Sequence, residues 1–156
     1  MLGGICKSGG RVDFDSDVSK TRMHRWMRVV SGLLLLVVAA VHLNLYAGED
    51  YDRIPIVGWL FLLTAVSGVL LGAALLFLRP RRESEALAGL FALGVLGGYV
   101  LTLVLPDGLF SFKEPGVSYS GFISIAAESV IVLLSVLTLS LGSRGSNHPG
   151  SIVVAG

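Results

Sequence analysis

The chain is poor in cysteine, charge and proline, and each shortage excludes a class of protein or of structure. Its single cysteine, Cys6, permits no disulfide within the chain and no CxxC redox pair. Only 15% of its residues are charged, against about 25% in ordinary soluble domains. Nucleic-acid binding requires a clearly basic face, and a net charge of +1 gives no reason to expect one. We therefore expect no nucleic-acid partner. Five prolines leave long stretches in which nothing interrupts a helix.

Apolar residues dominate instead, at 53% of the chain. They form four long runs, at residues 29–47, 56–78, 86–105 and 119–141. A helix of about 20 residues, rising ~1.5 Å per residue, crosses the ~30 Å hydrocarbon core of a bilayer. The runs therefore predict an all-α, polytopic membrane protein whose first partner is the lipid bilayer.

Basic residues predict the orientation of these spans. They concentrate before the first run, between the second and third, and after the fourth, with Arg53 and Lys113 as the exceptions. The positive-inside rule then places both termini in the cytoplasm. Because the connections are short, we expect an antiparallel four-helix transmembrane bundle, multi-pass in the plasma membrane.

The flanking segments differ in composition from the spans. Residues 1–27 predict a disordered, basic cytoplasmic segment, residues 28–141 the four-helix transmembrane domain, and residues 142–156 a flexible cytoplasmic tail. Met23 opens the sequence MHRWMR directly before the first span. Translation from Met1 or from Met23 is therefore left open.

Glycines recur at intervals of four in two of the spans. Gly68 and Gly72 form such a stripe in the second span, and Gly94 and Gly98 form one in the third. Small residues let helix backbones approach closely in lipid. We predict that these four glycines pack helices within the bundle, with packing between two copies of the chain as the alternative.

The connection after the third span combines turn formers with apolar residues. Pro106, Asp107 and Gly108 predict a turn, because proline fixes φ and glycine accepts a positive φ. We expect Phe110 and Phe112 to enter the membrane interface or to cap the bundle.

Two ionisable side chains, His42 and Glu128, fall clearly within the spans. By helical rise Glu128 lies about 14 Å from the outer end of its span, and His42 about 7 Å. A central acidic residue costs ~2.5–3.5 kcal/mol on insertion scales, so its presence suggests a functional role as a hypothesis.

The candidate polar cluster groups side chains of similar depth: His42, Thr64, Tyr99, Thr102, Ser124 and Glu128. The alternative is a hydrogen bond that only fixes helix packing, for ~0.6–2 kcal/mol. In the cytoplasmic half, Ser135 and Thr138 are expected to bond carbonyls of their own helix.

Several chemistries lack the residues that they need. Bis-histidine haem requires two histidines within the bundle, and zinc requires three or four ligands. Ser124 and Glu128 on one helix are too few for nucleophilic catalysis. We expect no cofactor, no metal and no enzymatic activity.

Four segments carry a resemblance: VHLNLY, YDRIPIVGWLFLL, LPDGLFSFKEPG and AAESVIVLL. Together they resemble small four-span membrane proteins of high-GC Gram-positive (actinobacterial) type, over residues 28–141. The resemblance implies the same topology and points to His42 and Glu128, but implies no reaction. DoxX-like proteins are similar in size and span count only. Small multidrug transporters also have four spans, but they carry their essential acidic residue in the first span.

The predicted function is an accessory or assembly subunit of a larger membrane complex. It fits the short loops and the small-residue stripes, and its partner is another membrane protein or a second copy of the chain. The alternative is a small proton-linked transporter that uses His42 and Glu128. A membrane enzyme acting on a lipid or a quinone is a third hypothesis.

Overall fold

The structure, a computed structural model, describes residues 14–48, 56–79, 81–110, 112–113 and 116–143. This part of the chain forms four helices: α1 (Phe14–Gly48), α2 (Val57–Phe77), α3 (Arg82–Val104) and α4 (Tyr119–Ser143). Each is long and apolar enough to cross a membrane. The prediction of an all-α protein with four potential spans is confirmed. The acidic turn after the first span and the tail from residue 144 lie outside the described residues.

Helix boundaries follow capping and charge as well as hydropathy. Ser118 caps α4, since its Oγ accepts a hydrogen bond from the backbone N–H of Gly121 at 3.1 Å. Helix α3 begins at Arg82, four residues before its apolar run, with Glu83 and Glu85 in its first turn. Acidic residues are favourable there because the N-terminus of a helix carries partial positive charge.

Helix α1 begins earlier than the sequence analysis predicts. Residues 1–27 are predicted to be disordered, but α1 is helical from Phe14, so this prediction is wrong for residues 14–27. A helix already nucleated in the membrane gains one hydrogen bond for each residue added, and the sequence has no Gly or Pro between Phe14 and Ser31. Residues 1–13 lie outside the described residues.

Helix α1 is the centre of the packing. It contacts α2 and α4 along much of its length, and α3 packs mainly on α4. The buried core is apolar and comprises Leu35, Val38, Leu75, Ala88, Ala92, Ala127 and Ile131. Helices α2 and α3 touch each other only slightly. A gap therefore separates these two helices.

Two of the four predicted packing glycines lie where α1 and α2 approach closely. A Cβ added to Gly68 would lie 3.1 Å from Ala39 Cβ, and one added to Gly72 would lie 3.0 Å from the carbonyl oxygen of Gly32. Larger side chains would force the two helices apart. Glycine is therefore required at positions 68 and 72 because it lets the two helix backbones approach closely, as the sequence analysis predicts.

The other two glycines, Gly94 and Gly98, lie at no close helix contact in the part of the chain that the structure describes. A Cβ added to Gly94 or Gly98 would meet no atom of the described residues within 4 Å. Packing of this pair within the bundle is not seen, because α3 touches α2 only slightly. Packing between two copies of the chain stays a prediction. The stripe leaves open space on α3.

The two stripes should respond differently to a larger side chain. We expect Gly72→Val to lower the free energy of unfolding by ~1–3 kcal/mol, the usual cost of overpacking. Gly98→Val is the matched control and should leave stability nearly unchanged. Unfolding each purified variant by SDS titration measures the difference. Equal losses in both variants would contradict the assignment of Gly72 to the α1–α2 contact.

Candidate functional site

A cavity of about 780 Å³ occupies the space between α2 and α3. Its walls are mainly apolar and come from all four helices and from the loop after α3. Every member of the candidate polar cluster lines it: His42, Thr64, Tyr99, Thr102, Ser124 and Glu128. Residues from four separate helices thus meet around one space. Gly94 and Gly98 line the same cavity, and their lack of a side chain enlarges it.

Glu128 is the most deeply buried polar group of the cavity, with 1% of its surface exposed. Ser124, one turn earlier on α4, donates a hydrogen bond from Oγ to Glu128 Oε1 at 2.7 Å. Ser124 bonds this one oxygen of the carboxyl and leaves Oε2 to other partners. The carboxyl is therefore held by its own helix through one oxygen, and the other oxygen remains for a ligand or a proton.

His42 is buried near the end of α1. Its Nδ1 lies 2.9 Å from the carbonyl oxygen of Val38, which can only accept, so Nδ1 carries a proton. The imidazole also meets the ring of Phe61 edge-on, with ring centroids 5.5 Å apart. These contacts fix the ring and leave Nε2 as its second functional atom. Within the described chain no hydrogen bond joins His42 to Glu128, although both line the cavity.

The remaining polar residues of the cavity present their hydroxyl groups in different ways. Thr102 donates from Oγ1 to the carbonyl oxygen of Tyr99 at 2.7 Å, so it offers a ligand only an acceptor. The hydroxyl of Tyr99 lies against α4, where a Cβ added to Gly121 would come within 2.6 Å of it. Thr64 supplies the cavity's polar group from α2.

The loop after α3 closes one end of the cavity. Gly108 has a φ of 71° and donates from its N–H to the carbonyl oxygen of Leu105 at 3.1 Å, so the predicted turn is present. A side chain at Gly108 would collide with the backbone of Phe112. Leu109 and Phe112 then exchange two backbone hydrogen bonds, of 2.9 and 3.0 Å. Leu109, Phe110 and Phe112 all line the cavity, which agrees with a capping role.

A second polar region, which we call the Arg28 region, comprises Arg28, Ser31, Glu85 and Ser135. All four side chains are buried. At the end of α2, Arg28 Nη2 donates to the carbonyl oxygens of Leu78 at 2.6 Å and Ala74 at 3.2 Å. The Ala74 oxygen also accepts the backbone N–H of Leu78. Arg28 Nε also lies 3.9 Å from Glu85 Oε1. Arg28 therefore ties α1 to α2 and to the start of α3.

Sequence reasoning missed this ion pair. Arg28 and Glu85 stand just outside their apolar runs, where charged residues usually reach water, and nothing in the sequence pairs them. The one available signal is that each directly precedes an apolar run. Thr138 bonds the carbonyl oxygen of Leu134 at 2.8 Å as expected. Ser135 does not, since its Oγ has no hydrogen-bond partner in the described part of the chain.

Among the described residues, no group of three or more His, Cys, Asp or Glu side chains is placed to hold an ion. The chain matches no protein-family model, and it matches no curated protein and no solved structure. The resemblance to actinobacterial four-span proteins stays a prediction.

Removing one partner of the Arg28–Glu85 pair should destabilise the bundle. Arg28→Gln leaves the buried Glu85 carboxylate without its countercharge, which typically costs about 3 kcal/mol or more. We expect the double variant Arg28→Gln/Glu85→Gln to recover part of that loss. A double-mutant cycle of unfolding free energies measures the coupling. Additive losses would show that the two side chains act independently.

Proposed function

We propose that the protein is a membrane-embedded carrier of a small lipophilic solute, with Glu128 as its proton-exchanging group. The cavity is the observation that carries this proposal. Its volume of about 780 Å³ falls within the ~300–1,000 Å³ of small-molecule sites. Such sites combine apolar walls with a few polar groups, as this cavity does. This favours the transporter alternative over the accessory role that the sequence put first.

The proposed setting is the plasma membrane, with both termini in the cytoplasm. The basic residues support this orientation through the positive-inside rule. The order of contacts supports antiparallel packing of α1 and α2, because Gly72 lies against Gly32 whereas Gly68 lies against Ala39. In this orientation Glu128 and His42 lie in the outer half of the bilayer, and the Arg28 region lies toward the cytoplasm.

Proton exchange follows from the chemistry of the buried carboxyl. A carboxyl in apolar surroundings either keeps its proton or pairs with a cation, because an isolated charge is costly there. Glu128 has one oxygen bonded to Ser124, so its second oxygen exchanges partners without disturbing the helix. His42 Nε2 serves as the neighbouring proton acceptor, since Nδ1 is already bonded to Val38.

Filling the cavity should remove the bound solute. The test compares Gly98→Leu, which places a side chain in the cavity, with Gly97→Leu on the same helix. Gly97 is the matched control because it also has open space around it but does not line the cavity. Each variant is extracted from its native membrane into nanodiscs, and its copurifying small molecules are quantified by mass spectrometry. We expect Gly98→Leu to retain about tenfold less of a solute that copurifies with the wild type, equivalent to ~1.4 kcal/mol.

The proposal requires that Gly98→Leu and Gly97→Leu retain different amounts of the copurifying small molecules. If both retain the same small molecules in the same amounts, the cavity does not hold a solute. Thermal melting of each variant in the nanodisc shows that the comparison is between folded proteins.

One observation favours the accessory role as a second candidate. The buried residues of α3 are Glu85, Ala88 and Ala92, all within its first three turns. The rest of the helix is exposed or partly exposed. A helix of another membrane protein or of a second copy would fit in the gap beside α2. This would bury the surface that the four-helix bundle leaves open.

A pull-down from native membranes in mild detergent distinguishes the two candidates. Tagged wild type and Glu128→Gln are run side by side. A carrier should be recovered without a stoichiometric partner in both cases, because its cavity is complete within one chain. A stoichiometric partner with the wild type would establish the accessory role, and loss of that partner with Glu128→Gln would place Glu128 in the interface.

A further inference from the structure

We infer that the solute is a lipophilic cation, which reaches the cavity from the bilayer through the gap between α2 and α3. The inference rests on the proposed carrier function and names its substrate class. Three features carry it: the side chains at the mouth of the cavity, the loop at its end, and the charges along its walls.

The mouth of the cavity faces hydrocarbon. Leu70 on α2 and Leu87 and Leu90 on α3 line the cavity, yet they are 66%, 54% and 67% exposed. In a membrane-spanning bundle, exposed leucines on the spans contact lipid chains. Since α2 and α3 touch only slightly, a solute dissolved in the bilayer can pass between them.

The end of the cavity nearest the loop is covered by apolar side chains. Leu109, Phe110 and Phe112 line this end, and the turn at Gly108 holds them in place. A polar solute arriving from water at this end would meet these apolar side chains, whereas a solute already in the membrane would not. The solute therefore carries a substantial apolar part.

The charge of the cavity selects the polar part of the solute. Among the described lining residues, Glu128 is the one acidic side chain, and none is Lys or Arg. An anionic head would meet no lysine or arginine along the described lining and would pay most of its desolvation cost. A cationic head pairs with the Glu128 carboxylate at Oε2, the oxygen that Ser124 does not bond.

The described lining holds two other titratable groups near Glu128: His42 from α1 and Tyr99 from α3. Helix α2 contributes the uncharged Thr64 and Ser67. When a monovalent cation binds, the O–H bond of the protonated Glu128 carboxyl breaks and its proton leaves to water through His42. The carboxylate then pairs with the cation, no covalent bond forms, and the net charge of the site is unchanged.

Three probes with the same dodecyl tail and different heads test the inference. They are dodecyltrimethylammonium, dodecanol and dodecyl phosphate, each radiolabelled and bound to protein in nanodiscs. Gly98→Leu in the same nanodisc measures the lipid background. We expect the ammonium probe to bind the wild type at least about tenfold more tightly than the other two.

Glu128→Gln should weaken binding of the ammonium probe about 30-fold or more, because truncating one partner of a desolvated charge pair has costs of that size. The probe keeps its charge at every pH, so its affinity for the wild type should rise from acidic to neutral pH as the carboxyl releases its proton. His42→Asn should keep this pH dependence, and Glu128→Gln should lose it.

The outcomes distinguish a failure of the cation assignment from a failure of the carrier function. If dodecanol or dodecyl phosphate binds as tightly as the ammonium probe, the cation assignment is wrong while the cavity still binds amphiphiles. The cation assignment would also be overturned if binding of the ammonium probe lost its pH dependence in His42→Asn and kept it in Glu128→Gln. If no probe distinguishes the wild type from Gly98→Leu, and native solutes are retained equally by both leucine variants, the carrier function itself fails.

Discussion

Close approach of α1 to α2 is the contact on which the rest of the bundle depends. In lipid, no hydrophobic force draws helices together, so they associate through tight packing and polar contacts. Gly32 on α1 meets Gly72 on α2, and Arg28 bonds the last carbonyls of α2. With α1 thus bound on one side and packed on α4 on the other, α3 is left with α4 as its main neighbour. The cavity is the space that this arrangement leaves between α2 and α3.

The two polar regions lie on opposite sides of an apolar layer. Along α1, His42 and Arg28 are separated by about 21 Å of helical rise, with Leu35 and Val38 buried between them. Along α4, Ile131 lies between Glu128 and Ser135 in the same way. A carrier requires such a layer, because a continuous polar path would let protons cross without the solute. The Arg28–Glu85 pair meanwhile ties α1 to the start of α3 on the side away from the cavity.

The sequence predicts the four helices because a membrane-spanning segment is defined by local hydropathy alone. It also predicts which polar side chains gather, because depth along a helix can be counted by residue. Thr64 and Tyr99, for example, are placed in the cavity from their position in the span.

What the sequence does not predict depends on the angles and contacts between helices. Gly94 and Gly98 resemble a packing stripe, but α3 diverges from α2 and the stripe faces open space. The pairing of Arg28 with Glu85 joins distant parts of the chain and requires the fold to be known. The start of α1 at Phe14 is missed because hydropathy reports where lipid begins, and a helix continues beyond that point wherever its backbone bonds can form.

The length of α1 has a practical consequence for orienting the molecule. Its 35 residues span about 52 Å, some 20 Å more than the hydrocarbon core. The part of α1 before the apolar run therefore continues along the same helix axis as the membrane-spanning part. A helical protein fused in phase at Phe14 would share that axis. Its direction in an electron micrograph would report the tilt of the whole bundle in the membrane.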